Sequence, residues 1–199
     1  MKLIITTILV LLSTSSNLLQ ITPGGSFSKW VISKNSSLIV NGVTNVNKFS
    51  CLILPSAKTD TIMVTKGQLG ALLLSGSINI KINEFDCSNS IMTRQLKKTL
   101  KANEFPYLHI RFLSLKIFDK DLQTRAVKGQ VEIELAGKSK SFPIEYQLSI
   151  SKNKMILRGN QSINFSDFNL HPPTKMGKLI KVKDKLDVAL YLNMELLDE

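Results

Sequence analysis

Phe142-Pro143-Ile144-Glu145-Tyr146-Gln147-Leu148-Ser149-Ile150 is the stretch that decides the fold class. Every even position is apolar, and Glu145, Gln147 and Ser149 fall between them. Side chains of a strand alternate between faces, so this stretch makes one oily face and one wet face. A sheet with one face in water is antiparallel behaviour. Pro143 offers no N–H, which predicts a bulge or an edge at that point.

The pattern continues in both directions. Upstream, Ala136-Gly137-Lys138-Ser139 reads as a tight hairpin. Before it, Val127, Val131, Ile133 and Leu135 share one phase, against Lys128, Gln130, Glu132 and Glu134 in the other. Downstream, Ser151-Lys152-Asn153-Lys154 reads as the next turn. Leu186, Val188, Leu190, Leu192, Met194 and Leu196 line one side near the C-terminus, and Ile78, Ile80 and Ile82 repeat the motif earlier. Strands are expected over 29–34, 37–51, 60–65, 70–74, 77–86, 107–118, 126–137, 140–150, 153–165 and 185–196. Long alternating strands joined by hairpins must hide their edges, and a sheet closed on itself does so. The expectation is an all-β chain with one short helix: an antiparallel closed barrel of about eight strands with an interior apolar cavity, although a barrel of that size can also be filled by its own side chains. An open sandwich is the alternative.

One segment breaks the alternation. From Ser90 to Ala102 the spacing is helical, with Met92, Leu96 and Leu100 four apart on one stripe. Ser88 or Asn89 can cap it and Pro106 stops it. Arg94, Lys97, Lys98 and Lys101 crowd the other face. That face reads either as a basic lid that touches an anionic head group or membrane surface, or as a solvated helix covering one barrel end.

The first 25 residues differ from the rest. Lys2 is their only charge, and an apolar run from Leu3 to Leu12 gives way to Ser13–Ser16. This describes an export signal over residues 1–22, with cleavage somewhere in 15–25, followed by one domain over 27–199. The run is short for a bilayer span; a retained anchor is the alternative. The expected location is therefore periplasmic or secreted. In an exported chain the two cysteines, Cys51 and Cys87, suggest one disulfide; two buried free thiols are the alternative. The formal net charge of +11 favours anionic neighbours, or is simply a basic solvated surface.

Catalytic and metal signals are weak. Cys51, Cys87, His109 and His171 do not fall at zinc-ligand spacing. Ser166, Asp167 and His171 lie close in sequence, but no G-x-S-x-G elbow accompanies them, and Asp167 reads more simply as a residue capping turn N–H groups. His109 stands in a strand. No phosphate-binding glycine loop is present. The expectation is a protein that is not an enzyme and needs no cofactor or metal. Thr44, Asn45 and Asn47 interrupt an apolar run. They either pair with a neighbouring strand's backbone at a bulge or barrel corner, or offer polar contacts at a barrel mouth.

Val40-Asn41-Gly42-Val43-Thr44-Asn45-Val46-Asn47-Lys48-Phe49-Ser50-Cys51 resembles the YceI-like family of polyisoprenoid-binding, lipocalin-like barrels. Phe85-Asp86-Cys87-x-Asn89-x-x-Met92, Leu100-Lys101-Ala102-x-x-Phe105-Pro106, Phe142-Pro143-Ile144-Glu145-Tyr146, Ser166-Asp167-Phe168 with Pro172-Pro173, and Ile180-Lys181-Val182-Lys183-Asp184 follow in the family's order. The likeness covers Trp30 to about Leu197. The chain departs from many relatives in lacking histidine in the first long strand and in having Asn169 after Phe168. The resemblance implies an interior that holds an amphiphile with a long isoprenoid tail, such as a quinone or a prenyl phosphate, and it allows a homodimer and transient contact with a membrane surface. Burying each five-carbon unit of such a tail is worth on the order of 3–4 kcal/mol at about 0.8 per carbon group. Phe85, Phe112, Phe118, Phe142, Tyr146, Ile163, Phe165, Leu190 and Leu192 are the expected lining; each also suits ordinary core packing. Two rivals stand beside a lipid carrier: a basic polyanion-binding module and a ligand-free structural protein of the envelope. Nucleic acid is not expected, because the aromatics share the apolar phase and are not interleaved with Lys and Arg on an open face.

Overall fold

A computed structural model describes residues 27–53, 60–67, 72–117, 125–175 and 179–197. The expected export segment and Phe118 lie outside these residues. The strands are β1 (Phe27–Ile32), β2 (Ser37–Thr44), β3 (Lys48–Ile53), β4 (Thr61–Lys66), β5 (Leu72–Lys81), β6 (Tyr107–Ile117), β7 (Arg125–Leu135), β8 (Lys138–Ser151), β9 (Lys154–Asn164), β10 (Thr174–Lys175) and β11 (Ile180–Leu196), with one helix, α1 (Ser90–Thr99). All pairings between named strands are antiparallel.

The sheet closes, as expected, into an eight-strand barrel. Two of its walls are broken strands. β1 and β2 both run along β11, with Ile32 opposite Met194 and Leu38 opposite Leu190. On their other side β3 and β4 run in tandem, with Leu38 opposite Ile53 and Val31 opposite Thr61. From β4 the ladder passes through β5, β6, β7, β8 and β9 to β11, which pairs again with β1. Closure follows from the alternation: Phe142, Ile144, Tyr146 and Leu148 of β8 are all buried, as are Leu186, Leu190, Leu192 and Met194 of β11. The inward phases of all walls meet in one core cluster.

The strands differ from expectation in four places: the last strand, expected over 185–196, starts five residues earlier at Ile180; the short β10 was not expected; and two longer stretches are divided differently. The expected strand over 37–51 is a hairpin of β2 and β3. The Thr44 hydroxyl accepts from the N–H groups of Val46 and Asn47 at 3.1 and 2.8 Å and turns the chain there. The Asn45 side chain bonds the neighbouring backbone, donating to the Leu179 carbonyl and accepting from the Lys181 N–H, each at 2.9 Å. The polar triplet is thus a barrel corner anchored on β11. The expected strands over 70–74 and 77–86 are one strand, β5, which ends at Lys81. Its register shifts between Leu74 and Gly76, where Gly76 has φ +148°. A glycine can kink a strand at that dihedral without ending it.

Pro143 stands where the wall has only one partner. It faces Gln130 of β7, but the β8–β9 ladder spans only Gln147–Ser151 of β8. A missing N–H is tolerated on such an edge. The gap beside it is filled by a short 3-10 turn, Phe165–Phe168, whose Phe168 ring packs 6.2 Å from that of Phe142.

Candidate functional site

α1 lies across one end of the barrel, between the end of β5 and the start of β6. Its local sequence explains its form. The Asn89 side chain accepts from the Met92 N–H at 2.9 Å, an N-cap, and Met92, Leu96 and Leu100 turn inward. Both ends are tied down. At the start, Cys87 is disulfide-bonded to Cys51 of β3, and its N–H donates to the Thr93 hydroxyl at 3.0 Å. At the far end Lys101 adopts φ +53°, the Ala102 N–H returns to the Lys97 carbonyl, and the Phe105 ring lies against Gly137 in the β7–β8 hairpin. Lys97 reaches back to donate to the Asn83 carbonyl at 2.6 Å.

Beneath the helix is an apolar chamber. Leu96 and Leu100 form its roof with Phe85. Leu38 and Val40 of β2, Leu108 and Ile110 of β6, Ile133 and Leu135 of β7, Ile163 of β9, and Leu186 and Val188 of β11 form its walls. Every lining side chain is hydrocarbon. The open space is about 50 Å³, whereas a pocket for a drug-sized ligand is on the order of 300–1,000 Å³. The chamber as it stands is therefore closed down by its own side chains.

Of the expected lining residues, the chamber brings together Phe85 and Ile163. Phe112, Phe142, Tyr146, Phe165, Leu190 and Leu192 are buried elsewhere in the core. Phe112 sits mid-strand in β6 opposite Gly76 and Val131. The Tyr146 ring occupies the space that Gly159 leaves, and burial pushes its phenol up to about 12. Phe165 belongs to the 3-10 turn. Apart from Ile163, the aliphatic walls are not among the expected lining. The signal that marks them is the inward phase of Ile133, Leu135, Leu186 and Val188 in their strands.

Ser166, Asp167 and His171 do not form a catalytic array. The Ser166 hydroxyl and N–H both donate to the Asp184 carboxylate. Asp167 accepts from the Asn164 N–H at 2.8 Å and from the Lys140 ammonium at 2.6 Å, closing a capping box. His171 is solvent-exposed, and the His109 ring meets the Asn79 side chain at 2.6 Å on the barrel's outer face.

The outer side of α1 is chemically opposite to its inner side. Arg94, Lys97, Lys98 and Lys101 border an open groove of about 1,130 Å³, together with Asp86 and Glu104. One helix thus separates a hydrocarbon chamber from a cationic surface.

An eight-stranded antiparallel barrel with a helix roofing an apolar interior defines a lipocalin-like barrel. The particular family follows from the order of the motifs along the chain: residues 30–194 match the YceI-like domain, and the chain belongs to that family. Among solved structures it is similar to a polyisoprenoid binding domain from Saccharophagus degradans, implicated in plant cell wall breakdown. That likeness has 8% identity and a TM-score of 0.57 over 86% of this chain and all of that one. It is also similar to BcnA of Burkholderia cenocepacia, at 14% identity and a TM-score of 0.52 over 79% of this chain and 95% of that one. These likenesses establish the fold. No protein with a curated functional description matches the chain in sequence.

Proposed function

We propose that this chain is an exported, non-catalytic binding protein that shelters the tail of an amphiphilic isoprenoid-type lipid inside its barrel. The observation that carries the reading is the all-hydrocarbon chamber beneath α1. Such a lining can reward an apolar chain and offers no group for general acid–base or nucleophilic chemistry. The S. degradans neighbour, described as a polyisoprenoid binding domain, supports the ligand class.

The small volume shapes the mechanism. A tail of several isoprene units needs far more room than about 50 Å³, so loading requires the roof to move. α1 is the element to move. Its ends are held by the Cys51–Cys87 disulfide and by the turn from Lys101 to Phe105, so what yields is the roof between them, the side chains of Met92, Leu96 and Leu100, which lie outside the ladder that closes the barrel. Displacing those side chains gives up their burial, which the incoming tail replaces in kind. Uptake is therefore a side-chain exchange within a fixed barrel.

The test is native mass spectrometry of the purified protein, with organic extraction of whatever it carries. A bound long-chain isoprenoid, or saturable uptake of prenyl and quinone probes by stripped protein, is expected. A protein that is repeatedly empty and takes up neither probe overturns the reading. Oligonucleotide binding with steep salt dependence and no lipid uptake would point to the polyanion-binding alternative.

A further inference from the structure

We propose that the outer face of α1 is a docking surface for an anionic lipid bilayer. The inference rests on the lipid-binding reading for its purpose, but not for its physics. The helix sequence Ser90–Thr99 contains three cations and no carboxylate, and Lys101 adds a fourth cation just past its end. Ile91, Arg94 and Lys98 follow one another at three- and four-residue spacing, which places them on one face. All three are exposed, and Ile91 is 56% accessible although it is a large hydrocarbon. An amphipathic helix with this pairing of cations and an unburied aliphatic suits the interface of an anionic membrane: the cations meet lipid phosphates and the aliphatic enters the acyl boundary.

The placement gives the pattern its meaning. The same helix roofs the chamber with Leu96 and Leu100, on the side away from these cations. Docking by this face sets the movable roof against the bilayer, so a lipid tail could pass between membrane and barrel with little exposure to water. Asp86 and Glu104 flank the groove and temper its charge. The occupant that fits is an anionic bilayer rather than a nucleic acid, because Ile91 has no use on a phosphate backbone and no aromatic side chain lines the groove for base stacking.

Flotation of the full mature protein with vesicles tests the proposal. One set is phosphatidylcholine alone, and the other contains about one-third phosphatidylglycerol. Binding to the anionic set is expected, weakening as salt rises. R94Q/K98Q should lower that binding about 30-fold, at about 1 kcal/mol per charge near the surface. Ile91→Ser should weaken it further. K152Q/K154Q makes the same charge change in the β8–β9 turn at the opposite end of the barrel, and it should leave most of the binding intact. Equal loss in both double variants would overturn the proposal, since net charge alone would then explain the effect. Absence of binding to anionic vesicles would overturn it as well, as would oligonucleotide binding with the same dependence on Arg94, Lys98 and Ile91. Extraction of lipid from the unsubstituted protein separates the two readings. In that protein, bound isoprenoid without vesicle binding keeps the chamber and removes the docking face; vesicle binding by a protein that never carries lipid does the reverse.

Discussion

Gly129 and Gly159 are both places where the barrel wall has no room for a methyl group, but for different reasons. A Cβ at Gly129 would strike the Ser114 carbonyl, which is backbone at the irregularity in the β6–β7 register. A Cβ at Gly159 would strike the Tyr146 ring, which is a side chain. Backbone cannot step aside and a ring can be removed. Gly129→Ala should therefore destabilise by about 2–3 kcal/mol or more. Gly159→Ala should do so less, and the loss should shrink when paired with Tyr146→Leu. A denaturant double-mutant cycle measures this coupling; additivity of the Gly159 and Tyr146 changes would contradict the account. Asp167 supplies a pH-dependent case. Burial pulls its pKa up, but the Lys140 ammonium and the Asn164 N–H outweigh burial and hold the carboxyl below its ordinary value. A group whose pKa is lowered on folding stabilises the fold above its unfolded pKa and loses that contribution as pH falls through the folded value. Asp167→Ala should therefore cost about 1 kcal/mol near neutrality. The gap to the parent protein should narrow below about pH 4, which melts of the two proteins across acidic pH would show.

The disulfide between Cys51 and Cys87 joins the helix root to β3, across a sequence separation of 36. Beside it, β3 pairs with the segment after β5 through the Leu52–Asp86 bridge. By the chain-entropy estimate, its removal in Cys51→Ser/Cys87→Ser should cost roughly 4 kcal/mol. That loss should appear as a lower denaturation midpoint with the barrel's far-ultraviolet signal retained. α1 itself was legible in the sequence because its stripe of Met92, Leu96 and Leu100 has a helical period within an otherwise two-residue alternation. β8 was legible for the same kind of reason. The break between β2 and β3 was legible only in part, because Thr44, Asn45 and Asn47 mark a corner while Val43, Val46 and Phe49 continue the apolar look of a strand through it. The chamber was only half legible. Alternation shows which side of a strand faces inward, but the height of a residue along the barrel depends on how distant strands are staggered. That stagger arises from pairings such as Val188 with Val40 and with Gln161, which no local pattern encodes. Phe112 and Leu192 have the inward phase but do not line the chamber under α1, whereas Leu108 and Leu186 do.

For the molecule as a whole, the tension is between a barrel closed by continuous pairing and a chamber too small for the cargo proposed for it. If α1 yields and the walls do not, loading adds favourable contacts to the native state without changing the strand ladder. Ligand that binds only the folded form raises its stability by mass action, about 2.7 kcal/mol at a hundredfold excess over Kd. For a chain of this size each kcal/mol moves the melting temperature by about 2–4 °C. Protein loaded with an isoprenoid probe should then melt roughly 5–10 °C above stripped protein. Leu96→Ala/Leu100→Ala separates the roof from the walls. Truncating two buried leucines should cost the stripped protein several kcal/mol, about 2–5 for each. The cavity it opens is then available to the tail, so the loaded variant should recover more of its melting temperature than the parent gains. Equal gains in parent and variant would mean that the tail does not occupy the space under α1, and the chamber would then be ordinary core.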